Sequence, residues 1–580
     1  MFFYPHRVRV LALSFIFFVF NFSSQKAFAQ VDAGALQQQL QKELPIPSPL
    51  PLPELQKPEE KKDSVRPKAG EIQFEVKDFT LEGVKILPEK DVKAVLKPWT
   101  NRPVTLDDLQ KACDAIVELY RKAGYTVQAI VPPQKIADGI VKILVTEAKL
   151  GRVIIDTPDG PVRFSTQRAA EYITYENQSG KPLNTRDLER ALIILNEVPG
   201  VVVKSTLEQG EQDGETNVRL LMTPPSQNWL ARGELNNYGS RTTGANQAVA
   251  GFNYLNPTGI GDSIGLNAIA SEGSQYVQGN YSAPVHPSGL RLGVSGTYLN
   301  YKNVSNYATN GSTGDAWTTG ISAAYPLIRA RGTNLNTTLG YDIKSYTNKL
   351  MATNQVQSSY NIKNLYLGLS GNHLDGFFGG GITAGSITLT QGYLDIINRG
   401  TANNYGTFTP SNFVKTSFSL NRNQQISGDG LTTAYVSISG QLASNDLNSA
   451  EQFYLGGPYA VRAYPVAQSP GSQGGLATLE LRHQFPQKIM ASIFFDAGFV
   501  QQYKNINTYN TLKGLTNANN TYSLMGTGVG ANWNYEGWNL GAMVAWKVGN
   551  NPLYNNSGQA VNTDGTTTDP RVWITASYIF

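Results

Sequence analysis

A two-residue alternation of apolar and polar side chains runs through residues 226–580 and restricts this part of the chain to very few folds. The odd positions of 334–344 are mostly apolar, as are the even positions of 434–442 and 540–548. Successive side chains of a strand point to opposite faces, so each segment predicts a strand with one apolar face. Only 34 of these 355 residues are charged, against 55 of the 196 residues in 30–225. With no helical pattern between the strands, the region predicts a sandwich or a barrel.

The first 29 residues have the three parts of a secretory signal peptide. Basic residues precede an apolar core over 10–20, and Ala27 and Ala29 supply small residues at the two positions that signal peptidase reads. Cleavage is therefore predicted before Gln30. A membrane anchor is the alternative, but the apolar run is shorter than a spanning helix requires. After it, no stretch approaches the roughly 18 apolar residues of such a helix.

Three features favour a lipid-facing barrel over a soluble sandwich. The region follows a signal peptide, aromatic residues are frequent near its strand ends, and its last strand places Val572, Ile574, Ala576, Tyr578 and Phe580 on one face. A closed barrel pairs every backbone polar group, as a bilayer demands. At about 22 residues per strand and connection, the region predicts an all-β transmembrane barrel of about 16 antiparallel strands. The terminal Phe580 resembles the assembly signal of bacterial outer-membrane proteins, which implies outer-membrane lipid and the barrel-assembly machinery as partners.

Residues 30–44 and 45–71 differ in composition. In the first segment, Leu36, Leu40 and Leu44 recur at four-residue spacing, which predicts a short amphipathic helix. In the second, six prolines between 45 and 58 and then a charged run predict an extended, semi-rigid linker outside any packed core. Because the linker gives the helix a long reach, we hypothesise that the helix plugs a resting pore.

Residues 72–147 and 148–225, named here the first and second arm domains, share one order of elements. Each predicts a strand, two helices and two further strands, an α+β arrangement. The first strand is predicted over 74–81. The helices are predicted over 89–96 and 106–122 in the first domain, and over 165–175 and 184–196 in the second. Cys113 lies on an apolar helix face, which predicts a core residue rather than a reactive thiol.

The composition argues against an enzyme, a metal centre and a nucleic-acid binder. One cysteine and four scattered histidines supply no metal-ligand cluster and no catalytic dyad. The run Gly379-Gly380-Gly381 is followed by no Lys-Ser or Lys-Thr pair, so it does not predict a phosphate loop. A net charge of +4 with dispersed basic residues does not form a nucleic-acid surface. We therefore predict no catalytic residue, no cofactor, no metal and no nucleic-acid partner.

An ordered set of motifs identifies a family resemblance. The motifs are Asn237-Tyr238-Gly239, Asn256-Pro257-x-Gly259-x-Gly261-Asp262, Tyr454-Leu455-Gly456-Gly457, Val461-Arg462-Ala463-Tyr464 and Phe494-x-Asp496-x-Gly498. The two arm domains resemble tandem POTRA domains, through their element order and short motifs after the second helices. Together, the set and the arm resemble the TpsB-type transporters of two-partner secretion, from about residue 30 to the last residue.

The resemblance implies a long loop whose tip folds back into the barrel, where Arg462 contacts Asp496 on the inner wall. The residues themselves support this position, because the apolar neighbours Phe495 and Ala497 leave Asp496 facing the lumen. The family pattern has glycine where this chain has Ala463, and alanine would be strained if that position needed a positive φ. The candidate functional residues are Val461, Arg462, Tyr464, Phe494, Asp496 and Gly498.

As the resemblance implies, the protein is expected to lie in the outer membrane of a Gram-negative bacterium, with residues 30–225 in the periplasm. There the arm docks a large, unfolded, TpsA-like exoprotein, often by lending a sheet edge to it. No nucleotide motif is present, so folding of the substrate outside the cell is expected to drive export. A general outer-membrane insertase, a solute porin and an adhesin or structural barrel remain alternatives. The count of two arm domains favours export over the insertase.

Overall fold

The computed structural model describes residues 25–26, 32–44, 73–136, 138–304, 311–398, 409–505, 520–550, 553–554 and 562–580. The predicted cleavage site (Ala27, Ala29 and Gln30) and the predicted linker over 45–71 lie outside these ranges. A two-residue parallel pairing joins Gln25–Lys26 to Leu553–Tyr554. Within the described ranges, every helix is too short or too polar to cross a membrane.

The first arm domain packs two helices, α2 (Glu89–Leu96) and α3 (Leu106–Ala123), on a small sheet. Thr105 and Asp108 form a reciprocal capping box at the start of α3, and Gly124, with a φ of 92°, ends it in the left-handed conformation that glycine favours. Cys113 is buried on the inner face of α3, and this burial raises the pKa of its thiol to about 11. The sheet strands are Asp78–Glu82, Ile140–Glu147 and Val127–Ile130, in spatial order.

The predicted strand over 74–81 is interrupted at Lys77. Phe74–Val76 pairs with the short strand Arg102–Val104, whereas Asp78–Glu82 pairs in parallel with Ile140–Glu147. The chain therefore changes partner within one alternating run. Both segments have the same two-residue alternation, so the pattern alone does not reveal a change of pairing partner.

The second arm domain repeats the arrangement with α4 (Thr166–Glu176) and α5 (Thr185–Asn196). Ser165 and Asn184 cap the two helices through their side-chain oxygens. The sheet strands are Lys149–Asp156, Glu215–Thr223 and Val202–Gln209, in spatial order. The two arm domains meet where the backbone N–H of Thr185 donates to the carbonyl of Gly124, at 2.8 Å.

Polar contacts join the second arm domain to the strand ends at one rim of the barrel. Arg190 of α5 donates to the carbonyl of Pro326 at 2.8 Å, and Glu197 forms an ion pair with Arg329, also at 2.8 Å. Arg163 donates to the hydroxyl of Tyr254 at 2.9 Å. The arm is therefore attached through its second domain, at the ends of the second and sixth strands.

Sixteen antiparallel strands close into a barrel, in which the first strand pairs with both the second and the last. The pairs Gly233–Tyr578 and Leu235–Ala576 lie in the closing seam. The strands are Trp229–Asn236, Gln247–Leu255, Ser263–Ser271, Ser274–Pro284, Arg291–Lys302, Ser312–Ala330, Thr333–Leu350, Val356–Asp375, Gly381–Asn398, Asn412–Gln425, Thr432–Ala443, Gln473–Gln484, Ile489–Gln501, Thr521–Tyr535, Trp538–Val548 and Arg571–Ile579. Both ends of the barrel sequence lie at the rim that carries the arm, because the strand number is even.

The two faces of the barrel strands differ as the alternation predicts. On the thirteenth strand, Phe495 and Phe499 point outwards and are 38% and 52% exposed, whereas Asp496 between them is completely buried. Phe580 is also exposed, and its ring contacts that of Tyr578 edge to face. An apolar outer band of this kind is what lipid tails require of a membrane barrel.

Candidate functional site

The N-terminal helix α1 (Ala33–Glu43) lies inside the barrel, against the inner wall. Asp32 caps it, accepting a hydrogen bond from the backbone N–H of Ala35 at 2.8 Å. Leu36 and Leu40 are each 1% exposed and pack into a cluster of inward-facing wall side chains. That cluster includes Ile269, Tyr276, Leu299, Tyr301, Tyr346, Tyr360 and Leu394. The apolar stripe that predicts an amphipathic helix is thus covered by the barrel itself.

Polar wall residues also hold α1. Gln37 donates to Thr297 at 2.7 Å and to Thr318 at 3.0 Å, on the fifth and sixth strands. The backbone N–H of Ala33 donates to Asn348 on the seventh strand at 2.9 Å. These bonds satisfy buried polar groups at the helix start and along one face, which fixes where the helix sits.

The loop 444–472, between the eleventh and twelfth strands, folds back into the barrel. Its two limbs pair at Phe453–Tyr454 and Pro470–Gly471. At its tip, Val461 and Tyr464 are completely buried, and Lys547 lies over the Tyr464 ring at 5.4 Å. The loop begins at the end opposite the arm, so its buried tip obstructs the lumen from that side.

Arg462 at the loop tip is bound to Asp496 by three hydrogen bonds. The backbone N–H and Nε of Arg462 donate to Oδ2 at 3.1 and 2.9 Å, and Nη2 donates to Oδ1 at 3.0 Å. Thr478 on the twelfth strand donates to the same Oδ1 at 3.0 Å. Every accepting direction of this buried carboxylate is therefore used, as a charge removed from water requires.

Other wall side chains enclose the guanidinium of Arg462. Glu480 accepts from its Nη1 at 3.2 Å, and the Phe494 ring lies beneath it with the centroid 3.3 Å from Cζ. The indole of Trp573 on the last strand donates to the carbonyl of Arg462 at 2.8 Å. The twelfth, thirteenth and last strands thus take part in holding the loop tip.

Three glycines on neighbouring strands make room for the loop or for the Phe494 ring beneath Arg462. A Cβ at Gly498 would lie 2.5 Å from Leu455, and one at Gly528 would lie 2.4 Å from the Phe494 ring. A Cβ at Gly526 would lie 2.7 Å from the Cβ of Ala463. Side chains at these positions would displace the loop or the ring beneath Arg462.

The backbone of Ala463 is not strained, although the family pattern has glycine at this position. It is completely buried and does not have a positive φ, so its backbone is one that any L-residue adopts. Its methyl group occupies the space that Gly526 leaves open. The methyl group of Ala463 therefore fits because Gly526, on the fourteenth strand, has no side chain.

The structure also brings together charged residues that the sequence analysis did not select. The carboxylate of Glu451, in the short 3₁₀ turn Ser449–Glu451, is 1% exposed and contacts Lys344 at 2.8 Å and Lys415 at 2.5 Å. Asn364 donates to it at 2.8 Å. Lys344 lies on the polar face of a predicted strand, so the alternation could indicate an inward-facing lysine. Local spacing could not identify Glu451 in the loop as its partner.

The sequence pattern of the family described as haemolysin secretion/activation protein ShlB/FhaC/HecB matches residues 214–532. The chain belongs to this family. The pattern of the ShlB-type POTRA domain matches residues 74–148. The protein is therefore an outer-membrane transporter of two-partner secretion, with its POTRA arm in the periplasm and a barrel that exports a partner protein. Family membership decides for export over the insertase alternative.

Similar proteins cover most of the chain. The heme/hemopexin transporter protein HuxB of Haemophilus influenzae is 27% identical over 449 residues, which are 74% of this chain and 77% of that protein. The outer membrane transporter CdiB of Escherichia coli is 26% identical over 420 residues, 70% and 68% of the two chains. The solved structure of CdiB from Escherichia coli shares the fold, with a TM-score of 0.71 and 18% identity over 95% of this chain and 100% of that one.

Proposed function

We propose that the protein exports one large exoprotein in an unfolded form, and that α1 must leave the lumen before this exoprotein can pass. The observation that carries the proposal is the double obstruction of the barrel. Helix α1 and the tip of the loop 444–472 both pack against the inner wall through buried side chains. A polypeptide crossing the same lumen competes for that wall. In this proposal α1 is the plug, and residues 45–71 are the tether that lets it withdraw.

The arm domains are the proposed docking site for the exoprotein. In each of their sheets, one strand is central and two lie at the edges: Asp78–Glu82 and Val127–Ile130 in the first, Lys149–Asp156 and Val202–Gln209 in the second. Residues 180–183 already pair with the start of Lys149–Asp156. An edge strand presents unpaired backbone groups to which an extended chain can add, with little demand on its sequence. Docking of this kind suits a substrate that arrives unfolded.

The remaining roles follow from the same proposal. Residues 1–29 direct the chain to the periplasm and are cleaved before Gln30, and Phe580 is read by the barrel-assembly machinery during insertion into lipid. The protein is not an enzyme, and folding of the exoprotein outside the cell drives its passage. The Arg462–Asp496 contact keeps the loop tip on the wall, with Val461, Tyr464, Phe494 and Gly498 shaping its seat.

Cross-linking α1 to the wall tests the proposal. Gln37→Cys and Thr318→Cys place two thiols where the side chains of these residues now touch, and a short bis-methanethiosulfonate reagent joins them through two reducible disulfides, with methanesulfinate as the leaving group. Cys113 is buried and adds little background reaction. We expect secretion of the exoprotein to stop on cross-linking and to recover on reduction, while each single-cysteine variant treated alike continues to secrete. Unchanged secretion by the cross-linked protein would disprove the need for α1 to leave.

A further inference from the structure

The 3₁₀ turn Ser449–Glu451 connects the loop, the barrel wall and α1. Its carboxylate reaches three strands at once, through Lys344 on the seventh, Asn364 on the eighth and Lys415 on the tenth. Gln441 on the eleventh strand donates to the Glu451 carbonyl at 2.9 Å. The turn is thereby fixed to a wide sector of the wall by a single side chain and its own backbone.

The two residues before Glu451 form the seat of α1. Ser449 donates to Oδ2 of Asp32 at 2.6 Å, and this aspartate also caps the helix through its other oxygen. Gln38 donates to the carbonyl of Ala450. A Cβ at Gly34 would lie 2.7 Å from the Cβ of Ala450, so the helix backbone rests directly on the turn. The first two turns of α1 thus depend on where Ser449 and Ala450 are held.

The second anchor of the loop is separate. Arg462 is bound to Asp496 on the thirteenth strand, and its guanidinium contacts Glu480, Phe494 and Met543, none of which is a partner of Glu451. Two separate ion-pair anchors therefore hold the loop to the wall. Of the two, the Glu451 anchor is the one beside which α1 rests.

We propose that Glu451 is a positioning residue that retains α1 in the lumen. Its charge, balanced by Lys344 and Lys415, fixes the turn on which the helix rests. Loss of that charge leaves two half-buried cations without their shared carboxylate, so the turn shifts and the helix loses its seat. The Arg462 anchor does not depend on Glu451 and keeps the loop tip in place. The inference rests on the proposed function only in treating α1 as the plug.

The test uses Glu451→Gln in the full-length protein, with one engineered cysteine per reporter beside the buried Cys113 and a water-soluble thiol-reactive label. Leu40→Cys reports α1, and Val461→Cys reports the loop tip, since both side chains are buried. We expect labelling at position 40 to accelerate at least about tenfold, because removing one partner of a buried ion pair destabilises its surroundings strongly. Labelling at position 461 should stay slow.

Three results would overturn the inference. Slow labelling at both positions would mean that Glu451 does not hold α1, and fast labelling at both would mean a general structural role. Fast labelling at position 461 alone would place Glu451 with the other anchor.

Lys344→Gln, which removes one of the two cations, is a second variant if Glu451→Gln fails to assemble, and the same pattern is expected. Glu480→Gln is the matched control and should leave labelling at position 40 unchanged. Labelling needs no exoprotein, so its outcome is independent of the secretion test.

Discussion

Asp496 shows at the residue scale how a fully buried charge is tolerated in this barrel. Its two oxygens accept four hydrogen bonds, three of them from Arg462. Because both partners are removed from water, deleting either one leaves the other without its main counter-charge, and Glu480 alone then remains beside Arg462. Asp375 and Arg422 form an ion pair of similar length, 2.7 Å, at the periplasmic rim, but both are about one-quarter exposed. The two pairs differ in burial rather than in chemistry.

We expect Asp496→Asn to lower the free energy of unfolding of the barrel by about 3–5 kcal/mol, since it leaves Arg462 buried beside an amide. Urea unfolding of the detergent-solubilised protein measures this loss. The matched change Asp375→Asn should cost much less, because water screens that pair. Equal losses in the two variants would contradict the account of the Arg462 contact.

Gly526 and Ala463 provide a compensating pair. We expect Gly526→Ala to destabilise the barrel by about 1–3 kcal/mol, because its new methyl group would meet the methyl group of Ala463. Adding Ala463→Gly removes that contact, and the nearest remaining atoms lie 3.3 Å or more from the new Cβ. The double variant should therefore recover most of the lost stability in the same unfolding measurement. No recovery would show that the strand, not the loop, requires the glycine.

The sequence could place some site residues in the lumen but could not identify their long-range partners. Asp496 stands between outward-facing aromatic residues, so alternation alone placed it in the lumen. Arg462 as its partner came from the family resemblance, because 34 residues separate the two. Glu451 was missed since its cations lie on strands far away in the sequence, and a glutamate in a loop gives no local sign of burial. Long-range pairing is the part that local periodicity does not encode.

Helix α1 illustrates the same limit at the scale of an element. Leucine spacing predicted a helix over 31–44, and the structure has it over Ala33–Glu43. Its position in the lumen was only a hypothesis, because the wall residues that bind it, Thr297, Thr318 and Asn348, follow it by more than 250 residues. An amphipathic stripe reports that a partner exists but not which surface it is.

Deletion of residues 33–43 should increase the ion conductance of single barrels several-fold in planar bilayers. The helix occupies part of the lumen cross-section, and its removal leaves the tip of the loop 444–472 as the remaining obstruction. The milder variant Gln37→Ala removes only the hydrogen bonds to Thr297 and Thr318, so brief openings rather than a permanent increase are expected. An unchanged conductance after the deletion would contradict a plugging role for α1.

At the scale of the whole molecule, the sequence predicted the number of barrel strands and the division into arm and barrel. Length divided by the usual spacing of membrane strands predicted about 16 strands, and the closed barrel has sixteen. The division between a charged arm and a charge-poor barrel was also visible in composition. The attachment of the arm was not, because contacts such as Glu197–Arg329 join residues that are distant in sequence and polar in both segments.

Export of one dedicated partner protein is the central claim, and a comparison of a deletion strain with its parent tests it most directly. Proteins of the outer membrane and of the culture supernatant are quantified in both strains. We predict that one large exported protein disappears from the supernatant while other outer-membrane barrels keep their abundance, and that the complete gene restores it. A broad loss of outer-membrane barrels, or no change in either fraction, would contradict the account.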